Sequence, residues 1–235
     1  MFRIILSLIL WPIWVMMFLL GTLIYSVSII FFPADRLHPL ARVLARLLML
    51  FGGQWFQVRG NAPDPKNGPY LYMMNHESLF DGFMMVAGIR HYFTGVGAVE
   101  QFSYPIWGYL VKKYGVIPII RQQLDNAISS LVKVEEAIGR GVSMMIAPEG
   151  TRTLTGKLSP FKKGPFHVAK NTGITIIPVG LLGAYKAKNK NDWRIKPSVL
   201  TTVFGDPIKE EDYKHLTLDE LRDLIKEKIT ELIDG

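Results

Sequence analysis

Hydrophobic and polar residues follow two different patterns along the chain. Between Ile4 and Phe32 no residue is charged, and a run of about 20 apolar residues is long enough to cross a bilayer. A cleavable signal peptide has a shorter apolar stretch that ends in small residues, whereas bulky Phe31 and Phe32 end this one. The pattern therefore predicts a membrane helix that is retained in the protein.

The next segment, residues 36–51, predicts a second helix with a different surface. Apolar residues recur there at helical spacing, while Arg42 and Arg46 lie four positions apart. A basic amphipathic helix of this kind lies in the headgroup plane of a membrane or packs on the protein's own core, and the pattern leaves both open. Because arginines follow the apolar segment directly, the positive-inside rule places the remaining chain on the cytoplasmic side of an inner or cytoplasmic membrane.

After this segment, short apolar runs alternate with helical periods. The turn-forming residues 61–69 mark a boundary, so we expect a membrane-anchoring two-helix segment at 1–60 and a separate domain at 61–235. The alternation is typical of a layered α/β fold. The last helix begins with Thr217 and Glu220 at capping-box spacing. Predicted strands are 70–74, 94–99, 116–120, 142–147, 174–179 and 199–204, and predicted helices are 81–89, 104–113, 125–139, 164–171 and 218–233.

Composition narrows the choice of partners. The chain has 235 residues, 49% of them hydrophobic, and a net charge of +7. A basic balance suits nucleic acid, an anionic membrane surface or a phosphorylated substrate. No helix-turn-helix, zinc-finger or RNA-binding signature is present, so nucleic acid is not expected as a partner. The absence of cysteine excludes disulfides, cysteine metal sites and a cysteine nucleophile.

The first motif that carries chemistry is Asn-His-Glu-Ser-Leu-Phe-Asp at residues 75–81. It follows an apolar strand and precedes an apolar helix, which predicts that His76 lies on a loop at the edge of the sheet. A histidine accepts a proton near neutral pH, and Asp81 on its far nitrogen would fix the tautomer and stabilise the imidazolium. The pair is then a general base for a hydroxyl group. The alternatives are a capping aspartate and a surface histidine, and the spacing matches no metal site, so no metal is expected.

The second motif is Ala-Pro-Glu-Gly-Thr-Arg at residues 147–152, which also follows an apolar strand. Gly150 allows the backbone to approach a ligand closely, and Thr151 is a hydrogen-bond donor. Arg152 has the planar guanidinium group that matches phosphate oxygens. The alternative is a solvated turn in which Arg152 pairs with Glu149 at the surface.

Two further segments are cationic. Arg121 ends the segment Gly-Val-Ile-Pro-Ile-Ile-Arg at residues 115–121, and a cation after a buried strand is a candidate for an anionic headgroup or a solvated charge. Lys162 and Lys163 either surround an anionic pocket or lie in an exposed loop. Residues 176–179, Ile-Ile-Pro-Val, predict a buried strand with a packing role.

These motifs, taken together and in this order, resemble the 1-acylglycerol-3-phosphate acyltransferase family of glycerolipid synthesis over about residues 70–179. The resemblance implies an α/β fold, a layered glycerolipid acyltransferase domain with a mixed central sheet and an acyl-chain tunnel. It implies that His76 is the catalytic histidine and Asp81 its partner. The residues that would bind the glycerophosphate are Arg121, Glu149, Gly150, Thr151 and Arg152.

The resemblance also implies a reaction. The histidine would deprotonate the free hydroxyl of lysophosphatidic acid, which attacks the thioester of acyl-CoA or an acyl carrier protein to form phosphatidic acid. Such a direct transfer needs no acyl-enzyme, in agreement with the lack of cysteine, and no cofactor besides this acyl co-substrate. The implied partners are a phospholipid membrane, a lysophospholipid substrate and the acyl donor.

The chain departs from the family pattern at three places. Many members have phenylalanine at the position of Ala147, serine at the position of Thr153, and a lysine-rich stretch where this chain has residues 98–102, Ala-Val-Glu-Gln-Phe. If that lysine stabilises the oxyanion or phosphate, then Lys162, Lys163 or a backbone amide near Gly150 must replace it.

Other functions remain open at this point. The acceptor is lysophosphatidic acid or another lysolipid, such as a lyso-aminolipid or lysocardiolipin. A membrane-anchored lipid hydrolase with Ser78 as nucleophile is a further alternative, although no Gly-x-Ser-x-Gly elbow is present. A non-catalytic module that binds anionic lipid through residues 36–51 is the third.

Overall fold

The structure, a computed structural model, describes residues 2–120 and 124–235. Short 3-10 turns lie at Pro65–Asn67 and Val99–Ser103. The strands of the described residues are β1 (Gln54–Arg59), β2 (Tyr70–Met74), β3 (Phe93–Ala98), β4 (Ile117–Ile119), β5 (Ser143–Ile146), β6 (Thr175–Leu182) and β7 (Ser198–Phe204). The helices are α1 (Phe2–Phe31), α2 (Ala34–Phe51), α3 (Asp81–Gly88), α4 (Trp107–Lys113), α5 (Leu124–Gly139), α6 (Gly164–Thr172), α7 (Ala184–Ala187), α8 (Glu210–Tyr213) and α9 (Leu218–Asp234).

The strands form one mixed sheet in the order β1-β7-β6-β2-β5-β3-β4. Strands β2, β3, β4, β5 and β6 run parallel to one another, and β7 with its parallel partner β1 runs in the opposite direction. Because β2 lies between β5 and β6, the segments that leave the carboxyl ends of these three strands meet at one edge of the sheet. This is the edge at which open α/β sheets place their ligands.

An apolar layer covers each face of the sheet. Alternate residues of β2 point to opposite faces, so Tyr72 joins the layer made with α2 and α3, while Leu71 joins the layer made with α5, α6 and α9. Both side chains are fully buried. The predicted α/β fold with a mixed central sheet is therefore confirmed.

Helix α1 packs along the domain by one face. Ser7 Oγ donates a hydrogen bond to the carbonyl of Ile195 (3.0 Å), and the ring of Trp14 lies 6.5 Å from that of Phe80. The opposite face is open, with Leu23 61% exposed. An 18-residue window within Arg3–Phe31 has a mean hydropathy of 2.4, and this helix is long and apolar enough to cross a membrane. The helix thus joins an apolar surface directly to the sheet edge that carries residues 75–81.

Helix α2 has a buried side and an exposed apolar side. Met49 and Leu48 are buried against the domain, whereas Val43 and Leu50 are at least half exposed on another side of the helix. The helix therefore packs on the core and still presents an apolar stripe to its surroundings.

The observed elements follow the predicted ones with some differences. Strand β1 and the short helices α7 and α8 were not predicted, and the helix expected at 104–113 begins only at Trp107. The predicted capping box is confirmed, because the Glu220 amide donates to Thr217 Oγ1 and the Glu220 carboxylate accepts from the Thr217 amide. The division into 1–60 and 61–235 stays a prediction, and β1, which precedes residue 60, belongs to the sheet.

Candidate active site

The turn between β2 and α3 holds the imidazole of His76 against Asp81. The distance from His76 Nδ1 to Asp81 Oδ2 is 2.7 Å. The Asp81 side chain is fully buried, while 23% of the His76 side chain is exposed. An acid in the first turn of a helix also interacts favourably with the helix dipole. The predicted pair is thus brought together, with the carboxylate inside and the imidazole at the surface.

The same carboxylate oxygen organises the turn. Asp81 Oδ2 accepts hydrogen bonds from the backbone amides of Glu77 (2.7 Å) and Ser78 (2.9 Å) in addition to the imidazole. Since an ionised carboxylate only accepts, the proton of the neutral ring lies on Nδ1 and the lone pair on Nε2. Nε2 has no hydrogen-bond partner within the described part of the chain. The arrangement leaves a base at the surface in a fixed tautomer.

Asn75 fixes the start of the turn to the neighbouring strand. Its Nδ2 donates to the carbonyl of Leu181 (2.9 Å), and its Oδ1 accepts from the amide of Leu181 (2.7 Å). The side-chain amide therefore extends the pairing of β2 with β6 by one step beyond the end of β2. Asn75 is buried, so this contact is part of the frame that holds His76.

Glu149 joins the loop after β5 to the turn after β2. Its Oε1 accepts from the His76 amide (2.7 Å) and its Oε2 from the Ser159 amide (2.8 Å). In return, the amide of Thr153 donates to the carbonyl of His76 (2.8 Å). Burial raises the pKa of Glu149, while the hydrogen bonds from Ser159 and His76 lower it. With 3% of Glu149 exposed, the carboxylate holds the two segments together inside the protein and does not face the open site.

The remaining residues of this loop lie nearer the surface. Gly150 has a φ of +74°, in the left-handed region that favours glycine, and its amide donates to the carbonyl of Ala147. Thr151 is exposed and Arg152 is half-buried. Within the described residues Arg152 has no ion-pair partner, so the surface pair with Glu149 is not formed. Arg121, the other predicted phosphate ligand, lies outside the described residues.

Sequence reasoning missed the buried carboxyl group of Glu77. Glu77 is 8% exposed, and its Oε2 accepts from the amide of Tyr185 in α7 (3.0 Å). Burial raises the pKa of Glu77 to about 7, and the nearby charge of Asp81 adds to the increase. The only indication in the sequence was that Glu77 is adjacent to His76. Its burial could not be predicted, because it depends on the contact with α7.

Ser78 and the two lysines also have defined places. Ser78 is buried, and its Oγ donates to the carbonyl of Lys188 (2.6 Å). Lys163 forms an exposed ion pair with Asp219 at 3.0 Å. Lys162 is exposed, and its Cγ lies 3.6 Å from the position that a Cβ on Gly150 would occupy. Of the two lysines, Lys162 is therefore the one beside the 147–152 loop.

The site presents an exposed imidazole, and among the described residues Arg152 and Lys162 have no ion-pair partner. Within residues 2–120 and 124–235 no group of three or more histidine, cysteine or acidic side chains is placed to hold a metal ion. The absence of a metal and of a cofactor stays a prediction. An imidazole whose Nε2 is open can take a proton from a hydroxyl group, and a half-buried guanidinium can bind a phosphate.

Comparisons with known proteins place the chain in a family. The family model described as Acyltransferase matches residues 56–182. A 1-acyl-sn-glycerol-3-phosphate acyltransferase of Cocos nucifera is 34% identical over 73% of this chain and 56% of its own length. The Salmonella typhimurium protein with the same description is 28% identical over 91% of this chain and 92% of its own.

A solved structure shows the same fold. The crystal structure of the 1-acyl-sn-glycerophosphate (LPA) acyltransferase PlsC from Thermotoga maritima superposes with a TM-score of 0.85, covering 97% of this chain and 95% of that one, at 20% identity. The chain spans 64% or less of the length of several plant relatives that it matches.

The buried carboxyl group of Glu77 makes folding stability depend on pH. Its pKa in the folded protein, about 7, lies above the ordinary value of 4.5. The stability from this group is therefore complete below pH 4.5 and lost as the pH rises through 7. Glu77→Gln removes the titration and keeps an acceptor for the Tyr185 amide. We expect the Tm of the variant relative to wild type to be higher at about pH 8 than at about pH 5, by on the order of 5 °C.

The measurement is thermal unfolding in detergent at both pH values. Exposed Glu100 provides the control, since Glu100→Gln should leave the difference in Tm independent of pH. The burial argument is wrong if the Glu77→Gln difference is equally independent of pH.

Proposed function

The chain belongs to the acyltransferase family, and from this premise we propose that it acylates lysophosphatidic acid to phosphatidic acid. The observation that carries the proposal is the His76–Asp81 pair at 2.7 Å, at the sheet edge that also carries Arg152. The named relatives support lysophosphatidic acid as the acceptor. A phosphate on the acceptor also explains a cation without an ion-pair partner next to the base.

The chemistry follows from the fixed tautomer of His76. Nε2 removes the proton from the free hydroxyl of the acceptor as its oxygen attacks the carbonyl carbon of the acyl thioester. Asp81 stabilises the imidazolium that forms. The tetrahedral intermediate then collapses, the carbon–sulfur bond breaks, and the imidazolium returns its proton to the departing thiolate. The donor is acyl-CoA or an acyl carrier protein, and no covalent enzyme intermediate is required.

Residues of the 147–152 loop have two different roles: some bind the acceptor, and Glu149 supports the turn that carries His76. Arg152 and the exposed Thr151 are available to the acceptor phosphate, and Gly150 lets the backbone approach it. The role of Glu149 differs from a direct substrate contact. Because its two carboxylate oxygens accept backbone amides of His76 and Ser159, and because a carboxylate repels a phosphate, we assign it to positioning the base.

Lys162 is the best candidate for the lysine that residues 98–102 lack. Lys163 is paired with Asp219, whereas Lys162 has no ion-pair partner among the described residues and lies beside Gly150. The Lys162 amide also donates to the carbonyl of Pro148 (2.8 Å), which fixes its backbone to the loop. A cation at this position stabilises negative charge that develops on the thioester oxygen or resides on the phosphate.

The surface of α1 and α2 supports a phospholipid membrane as partner. Leu8 and Leu23, both 61% exposed, belong to the open apolar face of α1. Beside the stripe on α2, burial and the charges of Arg46 and Arg90 lower the pKa of Arg42, so three cations lie close together. Such a group suits anionic headgroups. That the domain faces the cytoplasm remains an inference from the positive-inside rule.

The hydrolase alternative has less support. A Ser78 nucleophile would need a hydroxyl group that faces the substrate, but this hydroxyl is buried and donates to the carbonyl of Lys188. Acyl transfer to another lysolipid uses the same base, and a matrix of acceptors and donors identifies the preferred pair.

His76→Ala should abolish most acyl transfer because it removes the general base. We expect turnover of lysophosphatidic acid with acyl-CoA to fall by about 10²–10⁴-fold, measured with purified protein in lipid vesicles. Ser78→Ala loses buried hydrogen bonds worth about 1 kcal/mol each but should retain transfer. Wild-type turnover in His76→Ala, or its loss only in Ser78→Ala, would refute the proposed mechanism.

Lys162→Ala and Lys163→Ala form a matched pair with the same change in charge. The first should lower kcat/KM for lysophosphatidic acid on the order of tenfold to a hundredfold, since it removes a cation from the site. The second breaks an exposed ion pair of little energetic value and should be close to wild type. Equal effects of the two substitutions on kcat/KM would exclude a specific role for Lys162.

A further inference from the structure

The segment after β6 returns to the catalytic turn and carries a lysine with it. Helix α7 follows β6 directly, and the amide of Tyr185 in α7 donates to Glu77 (3.0 Å). The next contact is at Lys188, whose carbonyl accepts from Ser78 Oγ at 2.6 Å. Since the Ser78 amide donates to Asp81 Oδ2, the backbone of Lys188 is fixed to the turn that holds the base.

Arg152 is fixed to the same turn from the other side. The amide of Thr153, the next residue, donates to the carbonyl of His76 (2.8 Å). The two loops are also joined to each other, because the Tyr185 hydroxyl donates to the carbonyl of Leu154 (2.8 Å). The side chains of Arg152 and Lys188 therefore belong to segments that are both hydrogen-bonded to the turn that carries His76.

Among the described residues, neither of these two side chains forms an ion pair. Burial and the charge of Arg152 lower the pKa of Lys188, while Asp192 raises it. Asp192 forms its ion pairs with Arg194 and Lys196, at 2.8 and 2.9 Å. No described residue forms an ion pair with Lys188, and its Nζ donates to the carbonyl of Asn189 (2.7 Å).

Two like charges held near one another repel each other, and an anion that lies between or beside them offsets this repulsion. A phosphate monoester has the charge and the acceptor oxygens to accept from both an ammonium and a guanidinium group. The acceptor proposed above carries such a group on the glycerol carbon next to the one that bears its reactive hydroxyl. The turn that carries His76 thus lies next to a place for that phosphate.

We propose that Lys188 is a second phosphate-binding residue of the acceptor site, acting with Arg152 beside His76. The inference rests on the proposed function and adds a residue outside the motifs that suggested it. Lys188 also replaces part of the positive charge that the family carries in the region of residues 98–102. It determines specificity for a phosphorylated acceptor over a neutral one.

The test compares Lys188→Met with Lys186→Met. Lys186 lies in α7, is exposed, and gives the same change in net charge. The Lys188→Met substitution keeps the backbone carbonyl that binds Ser78, so the turn is retained. We expect KM for lysophosphatidic acid to rise on the order of tenfold in Lys188→Met, with kcat little changed, while KM for monoacylglycerol and all constants of Lys186→Met stay at wild-type values.

Lys188→Arg and pH separate binding from a structural role. The arginine variant should restore KM for the phosphorylated acceptor in part. Because the pKa of the Lys188 amine is lowered from 10.5, wild-type KM should begin to rise at a pH below this ordinary lysine value, and the rise should be smaller in Lys188→Arg, whose guanidinium stays charged. A merely structural role for Lys188 predicts neither the rescue nor the difference between pH profiles.

Binding of a phosphate-bearing ligand tests the role of Lys188 without relying on turnover. sn-Glycerol 3-phosphate should raise the Tm of wild type and of Lys186→Met. The increase in Tm should be smaller for Lys188→Met. Equal stabilisation of all three proteins, or equal KM increases for lysophosphatidic acid and monoacylglycerol, would overturn the role of Lys188. If wild type binds the probe in this way but does not acylate lysophosphatidic acid, then the proposed function fails and the anion site stands.

Discussion

One oxygen of Asp81 accepts three hydrogen bonds, and the geometry of the site depends on this buried acceptor. The imidazole of His76 and the amides of Glu77 and Ser78 all converge on Oδ2. Charge-assisted hydrogen bonds of this kind are stronger than neutral ones, and in a buried place they are not screened by water. The turn and the tautomer of the base are therefore set by a single charge.

The order of strands in the sheet brings the other components to this turn. Because β2 lies between β5 and β6, the loop with Glu149 approaches His76 from one side and the segment with Lys188 from the other. Helix α1 completes the surroundings, since Trp14 contacts Phe80 within the turn itself.

The sequence alone allowed the contact of His76 with Asp81 and most strands to be predicted, because local patterns determine them. The five-residue spacing of His76 and Asp81 is enough to predict their contact when Asp81 begins a helix. Strand β1 was missed because it is a short edge strand with an exposed Trp55 and lacks a clear period of two. In α5 the apolar pattern alone does not identify the buried face, because Val132 is 47% exposed while Val134 is fully buried.

The remaining site features depend on contacts between segments that are distant in sequence. Glu149 belongs to a recognisable motif, yet its burial against the amides of His76 and Ser159 follows from the meeting of two loops. No sequence pattern indicates Lys188, because its position depends on the contact of α7 with the turn that carries His76. Arg121, which the motif also indicates, lies outside the described residues.

The most direct test of the central claim is kcat for lysophosphatidic acid in Asp81→Asn, with Tm measured on the same sample. Asparagine keeps the volume and a carbonyl oxygen for backbone amides, but it does not stabilise an imidazolium. The account predicts a fall in kcat of about 10²–10⁴-fold in a protein that still folds. A folded Asp81→Asn protein with kcat near that of wild type would contradict it.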